Sequence, residues 1–427
     1  MIKKGVTAAA AASAVLGIVG AYAAPALIDS PVAFELPSPT GPYAVGTTTW
    51  HVTDSSRRET FTGGAENRQV QVLAWYPSAP SRGNALAPYL RAGLAEVRTF
   101  ATVIRAAQSV FDGLENVRSH ATVDAAVADT RQKLPVLVFS HGYTGIPSSY
   151  TALLEDLASH GYAVLSIVHP YEATAATLSN QRVVSMLDAT GALLPPIREV
   201  FGEWGPEDET MAAVTRATDA GEQLRLLRGY LSTLRHTNAA LRRWVDDTKL
   251  VLDRLSTVPA TSAAGRLARR LDMMRVGVFG HSMGGVTAAQ FCVEDTRCRA
   301  GLNLDGIPQY GAMIDASMPR PFLMVYSARP GRTGASDAIY GRAAHPYTRV
   351  DVRDTRHLDF SDVAFWGGPL RERGALGSLA PGRVTEITRE IVRGYFDEAL
   401  LGHAMALQHG VAVFPEVTVR TGAAVAR

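Results

Sequence analysis

The sequence predicts an α/β fold, a mostly parallel central sheet with helices on both faces. Three observations carry that reading. From Leu134 onward, short apolar runs alternate with amphipathic helical stretches, and strands separated by helices pair in parallel. Runs such as "LPVLVFS" (134–140) are continuously apolar up to the closing serine, as a strand buried on both faces requires. The third is "VFGHSMGGVTA" (278–288), which places a serine between two glycines where a strand passes into a helix. With 427 residues, 47% of them hydrophobic, the chain is long enough to bury a large core.

Taken in order, the chain opens on the positive "MIKK" and an uncharged Ala-rich run to Ile28. Ala21-Tyr22-Ala23 has the small-x-small pattern of a signal-peptidase site, so residues 1–28 read as an export signal. The run is also long enough for an uncleaved membrane anchor. Either way the protein is expected outside the cytoplasm, secreted or periplasmic. Residues 29–46 are Pro-rich and read as a linker to a domain spanning 47–402. "TTTWHVTDSSR" (47–57) and "RQVQVLAWYPS" (68–78) read as two strands around a polar turn. Residues 80–133 are Ala-rich with helical spacing and read as a helical insertion. "SYTALLEDLASHG" (149–161) is an amphipathic helix stopped by glycine, and "YAVLSIVHP" (162–170) is the next strand. Residues 180–260 form a long, charged helical insertion. Strands "RVGVFG", "RAGLNLDG", "RPFLMVYS" and "TRVDV" follow, with helices from Met283, near 335–344, and at "RVTEITREIVRGYFDEAL" (383–400). Residues 403–427 read as a tail.

Ser282 sits at the strand-to-helix junction. The turn is so tight that side chains at Gly280 and Gly284 would collide with each other or with the sheet. A serine there is held in a strained conformation with its hydroxyl exposed, and the following helix turns its N–H groups toward it. A serine hydroxyl needs a base, and the base an orienting acid, in the chain order serine, acid, histidine. His357, on a polar loop just after "TRVDV", lies where a base can reach back. His345 precedes that strand, and His403 and His409 lie beyond the last helix. Asp305 ends the strand after the nucleophile helix, Asp337 lies one strand later, and Asp315 lies between. Asp305, at a strand end and followed by glycine, suits a buried, turned carboxylate. Asp337 reads equally well as a first-turn helix residue. Two backbone donors for an oxyanion are expected, the N–H of Met283 after the serine and that of Tyr143 in "HGYTG".

Net charge is +2 with basic residues scattered, and no nucleic-acid module appears, so nucleic-acid partners are not expected. There is no H-E-x-x-H and no ligand cluster, so neither metal nor cofactor is expected. Cys292 and Cys298 are the only cysteines, and in an exported chain the close pair is expected to be a disulfide. Two thiolates with no nearby histidine do not complete a zinc site.

With these residues placed, the chain resembles the platelet-activating factor acetylhydrolase family of α/β-hydrolases, in its plasma and type II branch. The resemblance rests on "GPYAVGTTTWHVTDSSR", "VLAWYPS", "FSHGYTG", "EDLASHGYAVLSIVHP", "GHSMGG", "LNLDG" and "HLDFSD", in that order, from about residue 41 to 400. It implies Ser282, Asp305 and His357 as the triad, with His357, Phe360 and Asp362 matching an H-x-x-F-x-D stretch, and Tyr143 and Met283 as oxyanion donors. It further implies calcium-independent hydrolysis of short or oxidised sn-2 acyl chains of phospholipids. The substrate expected is therefore a small-molecule or lipid ester. A polyester- or cutin-type hydrolase and a general short-chain carboxylesterase are the rival enzymes. A non-catalytic binding module would usually lack a triad member, and none is missing. The 180–260 insertion looks like a lid or cap. If Arg225, Arg228, Arg235, Arg242 and Arg243 share a face with apolar neighbours, they would meet anionic headgroups at a membrane surface. Otherwise they form the solvated face of helices covering the sheet.

Overall fold

The structure, a computed structural model, describes residues 32, 34–80, 85–308, 311–342, 345, 347–372 and 374–422. The expected export segment, 1–28, lies outside the described residues. Among those described, no helix is long and apolar enough to cross a membrane.

The strands are β1 (Ala44–Arg58), β2 (Asn67–Ser78), β3 (Leu86–Pro88), β4 (Arg118–Val123), β5 (Leu134–Ser140), β6 (Ala163–Val168), β7 (Ala175–Thr177), β8 (Val183–Ser185), β9 (Leu271–His281), β10 (Cys298–Leu304), β11 (Phe322–Ser327), β12 (Tyr347–Val352) and β13 (Val417–Gly422). Eleven of them form one sheet, ordered β13-β12-β11-β10-β9-β5-β6-β2-β1-β4-β3. The run from β12 through β6 is parallel, and β2 and β1 continue it as an antiparallel hairpin. β7 and β8 make a separate small hairpin.

The apolar runs are buried on both faces, as read from sequence. In β5, Val136 and Val138 point into one core layer while Leu137 and Phe139 point into the other. The second layer is closed by Ile387, Ile391 and Phe396 of the Pro381–Leu401 helix. The first is closed by Val286 and Phe291 of the Met283–Glu294 helix and by Trp244 and Val251 of the Arg235–Arg254 helix. That last helix belongs to the 180–260 insertion, so the insertion supplies one of the layers that cover the sheet. The order also fixes a crevice. The chain leaves β5 for β6 on one side and enters β9 on the other. The carboxyl ends of β5 and β9 therefore face a gap between diverging connections, the usual ligand position in open α/β sheets.

Four boundaries differ from the sequence reading. Residues 80–133 hold a single nine-residue α-helix, Ala95–Val103, together with β3, β4 and a 3-10 segment. The alternation in "RSHATV" outweighs the alanine-rich helical spacing, because β4 has β1 and β3 to pair with. The described part of the expected linker, Val32 and residues 34–46, is packed against the domain. The Val32 N–H donates to the Val110 carbonyl, Leu36 is buried, Arg389 donates to the carbonyls of Pro37 and Ser38, and β1 begins at Ala44. The helix expected near 335–344 is only Asp337–Tyr340. The stretch read as a tail after 402 carries a short helix and β13, which adds an antiparallel edge strand to β12. Its valines alternate with polar residues, as suits an edge with one solvated face.

Candidate active site

Ser282 follows β9 directly, with φ 56° and ψ −125°, a backbone region strained for a residue with a side chain. The strain is locked by close packing. A Cβ on Gly280 would lie 2.3 Å from the Gly284 carbonyl carbon, and one on Gly284 would lie 2.0 Å from the Ser140 carbonyl oxygen. The Ser282 N–H donates to the Leu304 carbonyl at 2.8 Å, tying the elbow to β10. Met283 starts the helix, and the first four N–H groups of an α-helix have no intrahelical partner.

The turn after β5 comes in against this elbow. A Cβ on Gly142 would sit 3.3 Å from the Ser282 Cβ, a tight contact that would press the turn back by a few tenths of an ångström. The Gly142 carbonyl accepts from Gly145 N–H and, at 2.7 Å, from the His141 ring. The turn thus carries Tyr143 past Ser282, as Thr144 takes φ 56°.

Asp305, at the end of β10, is buried. Its Oδ1 accepts from the Ser327 N–H at 2.9 Å, and its Oδ2 accepts from Ser327 Oγ at 2.8 Å and from His357 Nδ1 at 2.7 Å. Arg329 Nη2 lies 3.1 Å from the same Oδ2. Burial opposes the charge, yet Arg329 and the His357 bond hold this carboxyl well below the usual carboxylate range. His357 follows β12 on a loop pinned by Asp359, whose carboxylate accepts from the N–H groups of Arg356 and Gly377. Burial, and then Arg329, lower its imidazole below the ordinary histidine value, against the pull of Asp305.

His281 was not singled out in the sequence. Its Nε2 lies 2.9 Å from the His357 carbonyl, which can only accept, so Nε2 carries the proton. Nδ1 therefore accepts from the Tyr150 hydroxyl at 2.9 Å, and the Tyr150 oxygen accepts the Gly142 N–H at 3.2 Å. Burial, then the neighbouring His357, keep His281 far below the ordinary value and so neutral. One chain of bonds thus joins the Gly142 turn, the elbow strand and the His357 loop.

Ser282 and His357 line one cleft of about 70 Å³ with Gly142, Tyr143 and His281. Its apolar wall is Phe100, Val103, Ile104, Met186, Leu358 and Val363. The wall comes mainly from the Ala95–Val103 helix and the His357 loop. The 180–260 insertion contributes Met186 alone, so its helices are not a lid on this cleft. They support it from the side, where Tyr143 packs against Phe201, Trp204 and Trp244. Four of the five arginines expected to reach headgroups meet carboxylates: Arg225 pairs with Glu222, Arg228 with Asp315, Arg242 with Asp246 and Glu294, and Arg243 with Glu172, while Arg235 is exposed and makes no ion pair among the described residues.

The rival residues fall elsewhere. Asp337 accepts from the hydroxyls of Tyr326 and Tyr347 and pairs with Arg349. His345 donates to the Pro319 carbonyl at the opposite end of the sheet, and His403 and His409 are exposed. Asp362 turns away from His357, buried against the Tyr89 hydroxyl. Cys292 and Cys298 are joined in a disulfide between the end of the elbow helix and the start of β10. Among the described residues, no group of three or more histidine, cysteine or acidic side chains could hold a metal ion.

Compared with known proteins, residues 30–368 match the family model described as platelet-activating factor acetylhydrolase, isoform II. The chain is 26% identical over 245 residues to a platelet-activating factor acetylhydrolase of Cavia porcellus, a match covering 56% of this chain and 51% of that one. It thus spans about half the length of that relative. A probable 1-alkyl-2-acetylglycerophosphocholine esterase of Arthroderma benhamiae is 22% identical over 436 residues, covering 94% of this chain and 97% of the other. Among solved structures, the ferulic acid esterase of Streptomyces cinnamoneus superposes with a TM-score of 0.68 at 27% identity, covering 90% and 98% of the two chains.

Proposed function

The chain belongs to the platelet-activating factor acetylhydrolase, isoform II, family, and from that premise we propose that it is a serine carboxylic ester hydrolase acting on short acyl esters, including the sn-2 acyl groups of phospholipids. The observation that carries the reading is the Asp305–His357 pair at 2.7 Å on the wall of the cleft that Ser282 also lines.

In this mechanism His357 takes the Ser282 proton as the hydroxyl attacks the ester carbonyl. Asp305 fixes the Nδ1–H tautomer and stabilises the imidazolium that forms. The N–H groups of Met283 and Tyr143 receive the developing oxyanion. The imidazolium then protonates the departing alcohol, leaving an acyl-Ser282 ester. Water, activated by His357, releases the acid. No step needs a metal, so activity should survive EDTA. A free space of about 70 Å³ holds on the order of five water-sized groups, which favours short acyl chains. The disulfide suits an oxidising compartment, and residues 1–28 are proposed as the export signal.

The likeness to the ferulic acid esterase favours a second reading, a carboxylesterase on aromatic acyl groups. One series separates the two: p-nitrophenyl esters from acetyl to palmitoyl, a phospholipid with an acetyl sn-2 chain, and methyl ferulate. Acetyl and butyryl esters should lead, with the acetyl phospholipid ahead of methyl ferulate. Ser282→Ala should abolish turnover, and a fluorophosphonate should label the wild type once, at Ser282. Labelling of another serine would overturn the assignment.

A further inference from the structure

Arg329 has no counterpart in the reaction just described, yet it stands against the acid. It follows β11 by two residues and is 19% exposed. Its Nη2 lies 3.1 Å from Asp305 Oδ2 and donates to the Asp305 carbonyl at 3.3 Å. Asp305 does not need this contact for orientation, because the Ser327 N–H and hydroxyl already hold both of its oxygens. What Arg329 adds is a permanent positive charge. It shares Oδ2 with His357, so guanidinium and imidazole lie within about 6 Å of each other, given the two contact distances.

The other charges around His357 do not cancel this one. Asp305 faces the ring from β10 and is shared between the two cations. His281, from β9, lies tilted against it at 4.4 Å between ring centroids and is neutral by its hydrogen bonds. Arg332, on the same loop as Arg329, is neutralised by Glu207 and Asp208. On the histidine's own loop, Arg356 donates to the Ala328 and Thr355 carbonyls, and Asp359 is taken up by backbone N–H groups.

We infer that Arg329 is a positioning residue of an electrostatic kind: it sets the lower pH limit of the reaction by opposing protonation of His357. The inference rests on the proposed role of His357 as the base. A charge about 6 Å away at an effective dielectric near 20 is worth about two pH units, and about one after partial screening. Protonated His357 cannot take the Ser282 proton, so the repulsion keeps the base competent in mildly acidic surroundings.

The test compares Arg329→Gln and Arg329→Met, which remove the charge, with Arg329→Lys, which keeps it. The acid limb of kcat/KM for p-nitrophenyl acetate should move to higher pH by about one to two units in the neutral variants. It should stay within about half a unit of wild type in the lysine variant. A role in packing alone would not sort the variants by charge. The same shift should appear in the NMR titration midpoint of His357 when each substitution is placed in a Ser282→Ala protein. That readout needs no turnover, so it separates failure of this inference from failure of the serine mechanism. Equal midpoints in the glutamine, methionine and lysine proteins would overturn the inference.

Discussion

Replacing Tyr150 by phenylalanine removes one oxygen and leaves the ring where it is, packed at 4.8 Å against Phe139. That oxygen makes two bonds, donating to His281 Nδ1 at 2.9 Å and accepting from the Gly142 N–H at 3.2 Å. Both partners are buried. Each unsatisfied group costs about 1–3 kcal/mol, so the variant should lose about 2–4 kcal/mol of stability, allowing for relaxation. Relaxation has a direction. The Gly142 turn and the His281 ring would move to find new partners, and these carry the proposed oxyanion donor and the backbone of His357. A displacement near 1 Å in catalytic geometry costs up to about 100-fold, so kcat should fall about 10- to 100-fold. KM should change little, because Tyr150 touches the cleft through a ring that stays. Urea unfolding and steady-state kinetics with p-nitrophenyl acetate measure the two quantities. A variant that loses stability but keeps wild-type kcat would refute the coupling, and one that loses neither would refute the bond assignment.

Asp305→Asn should cut kcat by about 10³- to 10⁴-fold, by analogy with other triads, while Asp337→Asn, away from the cleft, should leave kcat near wild type. The reverse ranking in kcat would move the acid one strand along. Asp362 is buried, and burial raises its carboxyl to about 8. Its folded pKa thus lies above the unfolded one. Between about pH 4 and 8 the unfolded chain gives up the proton and the folded protein keeps it, so stability falls as pH rises. Asp362→Asn should remove about 3–4 kcal/mol of that loss between pH 5 and 8, read by urea unfolding at each pH, and parallel pH profiles for the two proteins would refute it. Phe100→Ala should enlarge the apolar wall and move the preferred p-nitrophenyl ester to longer chains, and an unchanged chain-length profile would show that Phe100 does not bound the acyl site.

Much of this site was legible because its chemistry is local in sequence. Gly280, Ser282 and Gly284 fall within five residues, and the turn they make is dictated by backbone clashes that any reader of the sequence can anticipate. Asp305 and His357 could be singled out because Asp305 directly follows one strand and His357 lies on the polar loop after another. Arg329 and Tyr150 could not. One of two arginines in "SARPGR" and a tyrosine at a helix start carry no pattern, and their roles arise only when β11 is laid beside β10 and the Gly142 turn meets the elbow. His281, beside the serine in "GHSMGG", was in plain view, but it precedes the serine in the chain and its partners are 76 and 131 residues away. The helical insertion stayed open between a lid and a covering layer for a different reason. Amphipathic helices after a strand fit a lid and a covering layer equally well, and only the sheet order decides which face they meet.

That face explains why so many charges are buried in the insertion. Asp247, on the Arg235–Arg254 helix, pairs with Arg68 of β2 at 2.7 Å and with Arg57 of β1 at 2.9 Å. Arg68 also pairs with Glu59, and Arg243 with Glu172. The three arginines meet four carboxylates, since Asp54 also pairs with Arg57, and burial this deep is tolerable only when the charges are paired. Asp247 can only accept, so His169 Nδ1 donates to it at 2.9 Å, with its ring stacked at 4.0 Å on Trp244. The His169 backbone N–H donates to His141 Nε2 at 3.3 Å, which leaves His141 Nδ1 to donate to the Gly142 carbonyl at 2.7 Å. Burial holds His141 down to about 3, so the ring keeps the lone pair this chain requires. The Gly142 turn is therefore held from two sides, by Tyr150 through its N–H and by the insertion through its carbonyl. Changes within the insertion should then act on turnover, by loosening that turn, rather than on the entry of substrate to a cleft that its helices do not cover.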